Sequence, residues 1–228
     1  MPKSAPGDPK LILASGSPRR SELIAFTGWR VEVRPVDVDE LEFPGEDGLT
    51  LARRLARTKV TEAADQFGNH SVIILAADTV VESEGEILGK PASSGEAHDM
   101  LLKLRGKPHQ VHTGIALVNP GSGEIHLDAC TTDVPMRDYS EDEVGAYVRS
   151  GSPLDKAGAY GIQDGSFLPV EIDEMSGCYA NVVGLPVCHV VRAMRQVGHE
   201  PVFDVPSLCR EHTGYDCDVY TQILRDET

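Results

Sequence analysis

The chain has 228 residues, 40% of them hydrophobic and 25% charged, with a formal net charge of −15. That is enough for one large domain, or one domain with two lobes, and the composition is ordinary for a globular protein. The acidic balance argues against a nucleic-acid polymer as partner, and no apolar run approaches the ~18 residues of a membrane span; a small anionic ligand needs only a local positive pocket.

In chain order, residues 1–9 lack the apolar centre of a secretory signal and read as a short disordered arm. Residues 11–14, LILA, form a candidate buried strand. Ser17 then offers an N-cap, Pro18 fits a first helical turn and Gly28 is placed to stop the helix. Residues 30–36 look extended, and 37–48 form an acidic loop. A helix is expected from Thr50 to about Gln66, with Leu51, Leu55 and Val60 inward. Residues 72–81, VIILAADTVV, are a second central strand with one charge inside it.

Glu84-Gly85 reads as a turn, followed by Ile87-Leu88 and Gly89-Lys90-Pro91. Ser93 to Glu96 and Ser140 to Glu143 both have the S-x-x-E form of a capping box, and each predicts a helix start. Between those helices, Val111–Asn119 and Glu124–Met136 read as a hairpin around Pro120-Gly121-Ser122-Gly123. Residues 152–185 are glycine-rich loops with short extended pieces, and Leu185 to about Val197 is the last strong helix. Residues 198–228 add an extension with a possible short helix. Strands and helices mixed with a hairpin point to α/β or α+β with a mixed sheet. The five cysteines are odd in number and form no CxxC pair, which suits reduced thiols in a cytosolic protein. Cys209, His212 and Cys217 are too few and too loosely spaced for a zinc site.

Several positions invite chemistry. Arg19 and Arg20 sit at a helix start, where the dipole disfavours cations. Either an anionic ligand reverses that sign, as phosphate does at such a turn, or the arginines are solvated or paired with Glu22. Asp78 lies deep in an apolar strand, where a lone carboxylate is costly; it either serves a site at the strand end or caps a loop. Lys59 alone reads as a surface lysine, whereas Gly89 and Pro91 fix the backbone around Lys90 as if to aim it. Asp155 to Gln163, DKAGAYGIQ, reads as a tight loop under the sheet or as a ligand loop ending in a versatile amide. Asp37, Asp39 and Glu40 either face solvent or hold a divalent cation. His109 and His112 would fall on opposite faces of a strand.

Taken together, ASGSPRRSEL, AADTVV, ILGKP, HTG, SGSPLDKAGAYGIQ and NVVGLP occur in the order seen in the Maf (septum formation) proteins, and residues 10–197 resemble that family. The resemblance implies an inosine-triphosphatase-like fold with two lobes around a cleft, and a homodimer. It implies hydrolysis of a nucleoside triphosphate between its α- and β-phosphates with Mg²⁺ or Mn²⁺, in the cytoplasm. The alternative is a nucleotide-binding regulator of cell division without turnover.

By the same resemblance, Ser15, Arg19 and Arg20 form a phosphate-binding turn, and Glu40, Lys59, Asp78 and Lys90 a catalytic set. Asp78 is then the proton acceptor. A free aspartate near pKa 3.9 is a weak base, however, so holding metal or orienting water, with Glu40 as second carboxylate, is the other reading. Arg19, Thr79 and Gln163 look like the branch that prefers dTTP and UTP; Arg20 is open to a surface or salt-bridge role. After Gln163 the sequence departs from the family pattern, with DGSFLPVEI in place of a longer glycine-rich segment.

Overall fold

A computed structural model describes residues 10–67, 72–119 and 121–225. The expected arm at 1–9, Pro120 of the hairpin turn and the last three residues lie outside them. Six strands make one mixed sheet: β1 (Lys10–Leu13), β2 (Arg30–Val33), β3 (Val72–Ser83), β4 (Glu86–Leu88), β5 (Pro108–Asn119) and β6 (Glu124–Pro135). β2, β1 and β3 run parallel, while β5 and β6 are antiparallel to their neighbours. The mixed sheet agrees with the sequence pattern.

Period-two alternation in β3 builds two cores. Ile74 and Ala76 face α2 (Gly48–Phe67) with its Ala56, Val60 and Ala63. Ile73, Leu75, Ala77 and Val81 face the other layer. That layer contains α1 (Pro18–Ile24), α3 (Ser94–Leu104), α4 (Glu141–Arg149), α5 (Tyr179–Val183), α6 (Val187–Gln196) and α7 (Val205–Thr213). A short α8 (Tyr220–Ile223) packs beside α6.

Local signals behave as the sequence predicts, with three differences. Ser17 stands at the start of α1, but its side chain makes no capping bond. Ser140 and Glu143 complete a capping box, but at Ser93 only half of one forms. Ser93 Oγ accepts from the Glu96 amide at 3.2 Å, whereas the Glu96 carboxylate accepts from the Ala92 amide at 2.7 Å. Residues 152–185 hold three 3-10 turns and a short helix, with extended pairing reduced to two isolated bridges.

Strand pairing creates the cleft. β1 pairs with residues 72–75 of β3, and β4 pairs with 81–83. β5 takes the opposite edge of β3 throughout 74–82. Residues 76–80 of β3 therefore have an unpaired edge, and Asp78 stands at its centre. The chain leaving β1 (Ala14 onward) and the chain leaving β4 (Gly89-Lys90) run towards this gap from opposite ends.

Candidate active site

A cavity of about 550 Å³ occupies the gap, within the size range of small-molecule sites. Ser15, Arg19, Arg20, Glu40, Lys59, Asp78, Thr79, Lys90 and Gln163 all line it. Residues up to 148 positions apart in the chain meet there because β1, α2, β3 and β4 end or cross at one place.

Asp78 points to the α2 side of the sheet, and Lys59 is the α2 residue that meets it. The Lys59 ammonium donates to both Asp78 and Glu40. Lys59 and Asp78 are almost covered, with side chains 12% and 10% exposed, while Glu40 is half open at 51%. Burial raises Asp78 above the usual carboxylate range, and the nearby charges of Lys59 and Arg20 oppose this only in part. At Glu40 the balance is reversed. Burial pushes its carboxyl up, but the Lys59 hydrogen bond and charge, with Lys90 and Arg20 beyond, hold it below its ordinary value. One lysine thus joins a buried carboxylate of raised basicity to an open one that stays ionised.

Thr79, the next residue, faces the other side and meets α1. Arg20 donates from Nε to the Gly184 carbonyl at 2.8 Å, from Nη1 to Ser15 Oγ at 3.2 Å and from Nη2 to Thr79 Oγ1 at 3.0 Å. Burial lowers its pKa, and the charge of Asp78 works against that. Among the described residues Arg20 has no carboxylate within ion-pair distance, so neither the surface nor the salt-bridge reading holds. Arg19 is the more open of the two and pairs with Asp155 at 3.2 Å. Lys90 is exposed and makes no hydrogen bond or ion pair among the described residues.

The loop 155–163 joins both of its sequence readings. Gly158 packs on Val81, and Ala159 and Tyr160 are buried under the sheet, while Gln163 is exposed at the cavity rim. The divergent segment after Gln163 is anchored by Phe167, stacked on Tyr147 at 4.5 Å between ring centres. Asp164 accepts from Tyr147 and from Ser152.

Sequence reasoning assigned no role to the Gly184 carbonyl, which fixes Arg20, or to Thr113, whose hydroxyl lies 3.0 Å from that of Thr79. Their signals were the NVVGLP and HTG motifs, since each joins the site through a main-chain or small hydroxyl group rather than a charge.

A family model described as Maf-like protein matches residues 10–197. The chain belongs to the Maf family. A Dehalococcoides mccartyi relative named dTTP/UTP pyrophosphatase is 43% identical, over 85% of this Maf chain and 84% of its own. A Geotalea uraniireducens protein of the same name is 45% identical, over 82% and 95%. Among solved structures, the Staphylococcus aureus Ham1 protein aligns with TM-score 0.41 and 18% identity, over 57% of this chain and 72% of that one. That likeness is too distant to carry functional weight. No helix among the described residues is long and apolar enough to cross a membrane.

Proposed function

We propose that this Maf chain hydrolyses dTTP and UTP to the nucleoside monophosphate and pyrophosphate, a reaction suited to clearing nucleotide pools. The observation that carries the reading is the Asp78–Lys59–Glu40 arrangement facing Arg20 across one polar cavity. The names of the relatives specify the substrates.

The triphosphate brings up to four negative charges into the cleft. Arg19, Arg20, Lys59 and Lys90 offset them, supplying the fixed positive charge that stabilises charge building in a transition state. Water attacks the α-phosphorus, the bond from that phosphorus to the α–β bridging oxygen breaks, and pyrophosphate leaves. Asp78 orients the attacking water and, where no cation sits on it, accepts its proton; burial raises its pKa above that of a free aspartate, an effect a bound cation would oppose. Glu40 stays ionised and keeps Lys59 oriented.

A divalent cation fits this donor set. Asp78 and Glu40 offer only oxygen, and the buried Asp78 carboxylate is incompletely compensated by its cations. Among the described residues no third acidic, histidine or cysteine side chain joins them. Mg²⁺ commonly takes one or two carboxylates and completes its shell with phosphate oxygens and water. When bound, it would supply charge neutralisation and a more acidic water. Gln163 at the rim is the proposed reader of the base, since its amide matches the N3–H and carbonyl edge of uracil and thymine. The resemblance also implies a homodimer, which sedimentation would check.

The test is a panel of nucleoside triphosphates with Mg²⁺ or Mn²⁺, measuring pyrophosphate and orthophosphate separately. Pyrophosphate alone, highest for dTTP and UTP, is the expected result. Asp78→Asn should lower turnover by roughly 10²–10⁴-fold, as loss of a general base does. Tight binding with neither product would establish the regulator instead.

A further inference from the structure

Between β2 and α2 the chain forms no strand or helix, and this stretch carries Glu40. Val36 packs against the small core beside α2, but Leu41 and Phe43 are exposed, so apolar burial does little to hold the rest. Two α2 side chains reach it instead. Lys59 meets the Glu40 carboxylate. Arg54, earlier in the same helix, holds the main chain that follows. Its Nη2 donates to the Leu41 carbonyl at 2.8 Å, and its Nε and Nη2 each donate to the Glu46 carboxylate at 2.7 Å. The guanidinium lies 4.0 Å from the centre of the Phe43 ring.

Glu46 carries the clamp further. It accepts from the Phe43 amide at 3.1 Å and donates its own amide to the Phe43 carbonyl at 3.0 Å, closing a turn over Pro44-Gly45. Gly45 has φ 79°, the left-handed value that the second central position of such a turn demands. The Glu46 side chain is 6% exposed although its neighbours lie open. A bidentate fork onto a covered carboxylate is not an ordinary surface pair. Yet Arg54 does not line the cavity, so it does not meet the substrate.

We propose that Arg54 is a positioning residue for Glu40. By fixing the Leu41 carbonyl and, through Glu46, the turn after it, Arg54 keeps the half-open Glu40 carboxylate on Lys59 beside Asp78. Without the clamp Glu40 swings towards water, and Lys59 is left with Asp78 alone. This rests on the reading of Glu40 as the carboxylate that keeps Lys59 oriented during turnover.

The experiment is a double-mutant cycle in the full-length protein, with kcat and KM for UTP at saturating Mg²⁺ and a thermal melt of each variant. Arg54→Ala should lower kcat roughly 10–100-fold, the scale of a misplaced catalytic group, and change KM less. Arg54→Lys should lower kcat too, because an ammonium keeps the charge but not the planar fork. Glu46→Ala removes the opposite charge and should still lower kcat. In a Glu40→Gln background, Arg54→Ala should cost less than about threefold, since two changes acting through one group do not add. Losses that multiply would overturn the inference, as the mark of a clamp that serves the fold alone. Opposite effects of Arg54→Ala and Glu46→Ala would overturn it in favour of charge, and a loss carried wholly by KM would overturn it as well. Should Arg54→Ala fail to melt cooperatively, Arg54→Lys closes the same cycle. If Arg54→Ala keeps the wild-type kcat while Glu40→Gln lowers it, the inference falls and the Glu40 reading stands. If Glu40→Gln itself keeps the wild-type kcat, the Glu40 reading fails and takes this inference with it.

Discussion

Arg19 and Arg20 are neighbours in sequence with different tasks. Arg20 satisfies three acceptors that belong to three separate segments, and lysine cannot reproduce that planar fork. Arg20→Lys should therefore lower both activity and stability, the latter by about 1–3 kcal/mol for acceptors left unmade. Arg19→Ala should raise KM with a melting temperature near that of the parent, because its partner Asp155 is exposed. Paired kinetics and thermal melts separate the two. His109 offers a pH test directly behind the cleft wall, where its partner Tyr160 lines the cavity. Its Nε2 bonds the Tyr160 hydroxyl at 2.8 Å, and burial lowers its pKa from 6.5 to about 4. Above pH 6.5 native and unfolded chains are both neutral at this site. Between 6.5 and about 4 the unfolded chain takes a proton that the native one refuses, so stability falls as pH falls, by roughly 3 kcal/mol across the window. His109→Gln should flatten the slope of urea midpoints over that range.

At the scale of elements, the crossing of α2 over β5 sets the catalytic distance. Gly114 pairs with Asp78 across the β3–β5 ladder. A Cβ on Gly114 would lie 2.3 Å from the Ala52 carbonyl oxygen in α2. Only glycine lets the helix come this close, and the same helix carries Lys59 to Asp78. Gly114→Ala should push α2 outward, costing about 1–3 kcal/mol of stability and most of the activity. A urea titration alongside turnover would check both. The element pattern itself was readable from the sequence, since apolar periodicity and caps are local. The half-formed box at Ser93 was not, because the choice of the Glu96 carboxylate between two amides depends on how the preceding loop approaches.

Over the whole molecule, residues 198–225 are docked on the core, through buried Val205 and partly buried Cys209, Tyr215, Tyr220 and Ile223. Trp29 donates to the Glu200 carbonyl at 2.9 Å, and the Val202 amide donates to the Thr27 carbonyl at 2.7 Å. Val205 is 1% exposed. Val205→Ala should cost about 2 kcal/mol by lost burial and the cavity left behind, lowering the melting temperature by roughly 4–8 °C. A melt that did not move would show the extension packing elsewhere in solution.

The sequence by itself determined the strands, the helices and the mixed sheet, which rest on local signals, and it marked Asp78 as a charge set where VIILAADTVV would otherwise be apolar. That Ser15, Glu40, Lys59, Thr79 and Gln163 belong with it came from the order of family motifs and not from local pattern, since Lys59 alone reads as a surface lysine. Only the tertiary structure decided that Arg20, not Arg19, is the embedded arginine. It also decided that Gly184 and Thr113 complete the surroundings of Arg20 and Thr79. Those are pairings between distant segments, fixed by where β1 and β4 stop along β3. No periodicity or spacing in a single chain records where two such segments meet.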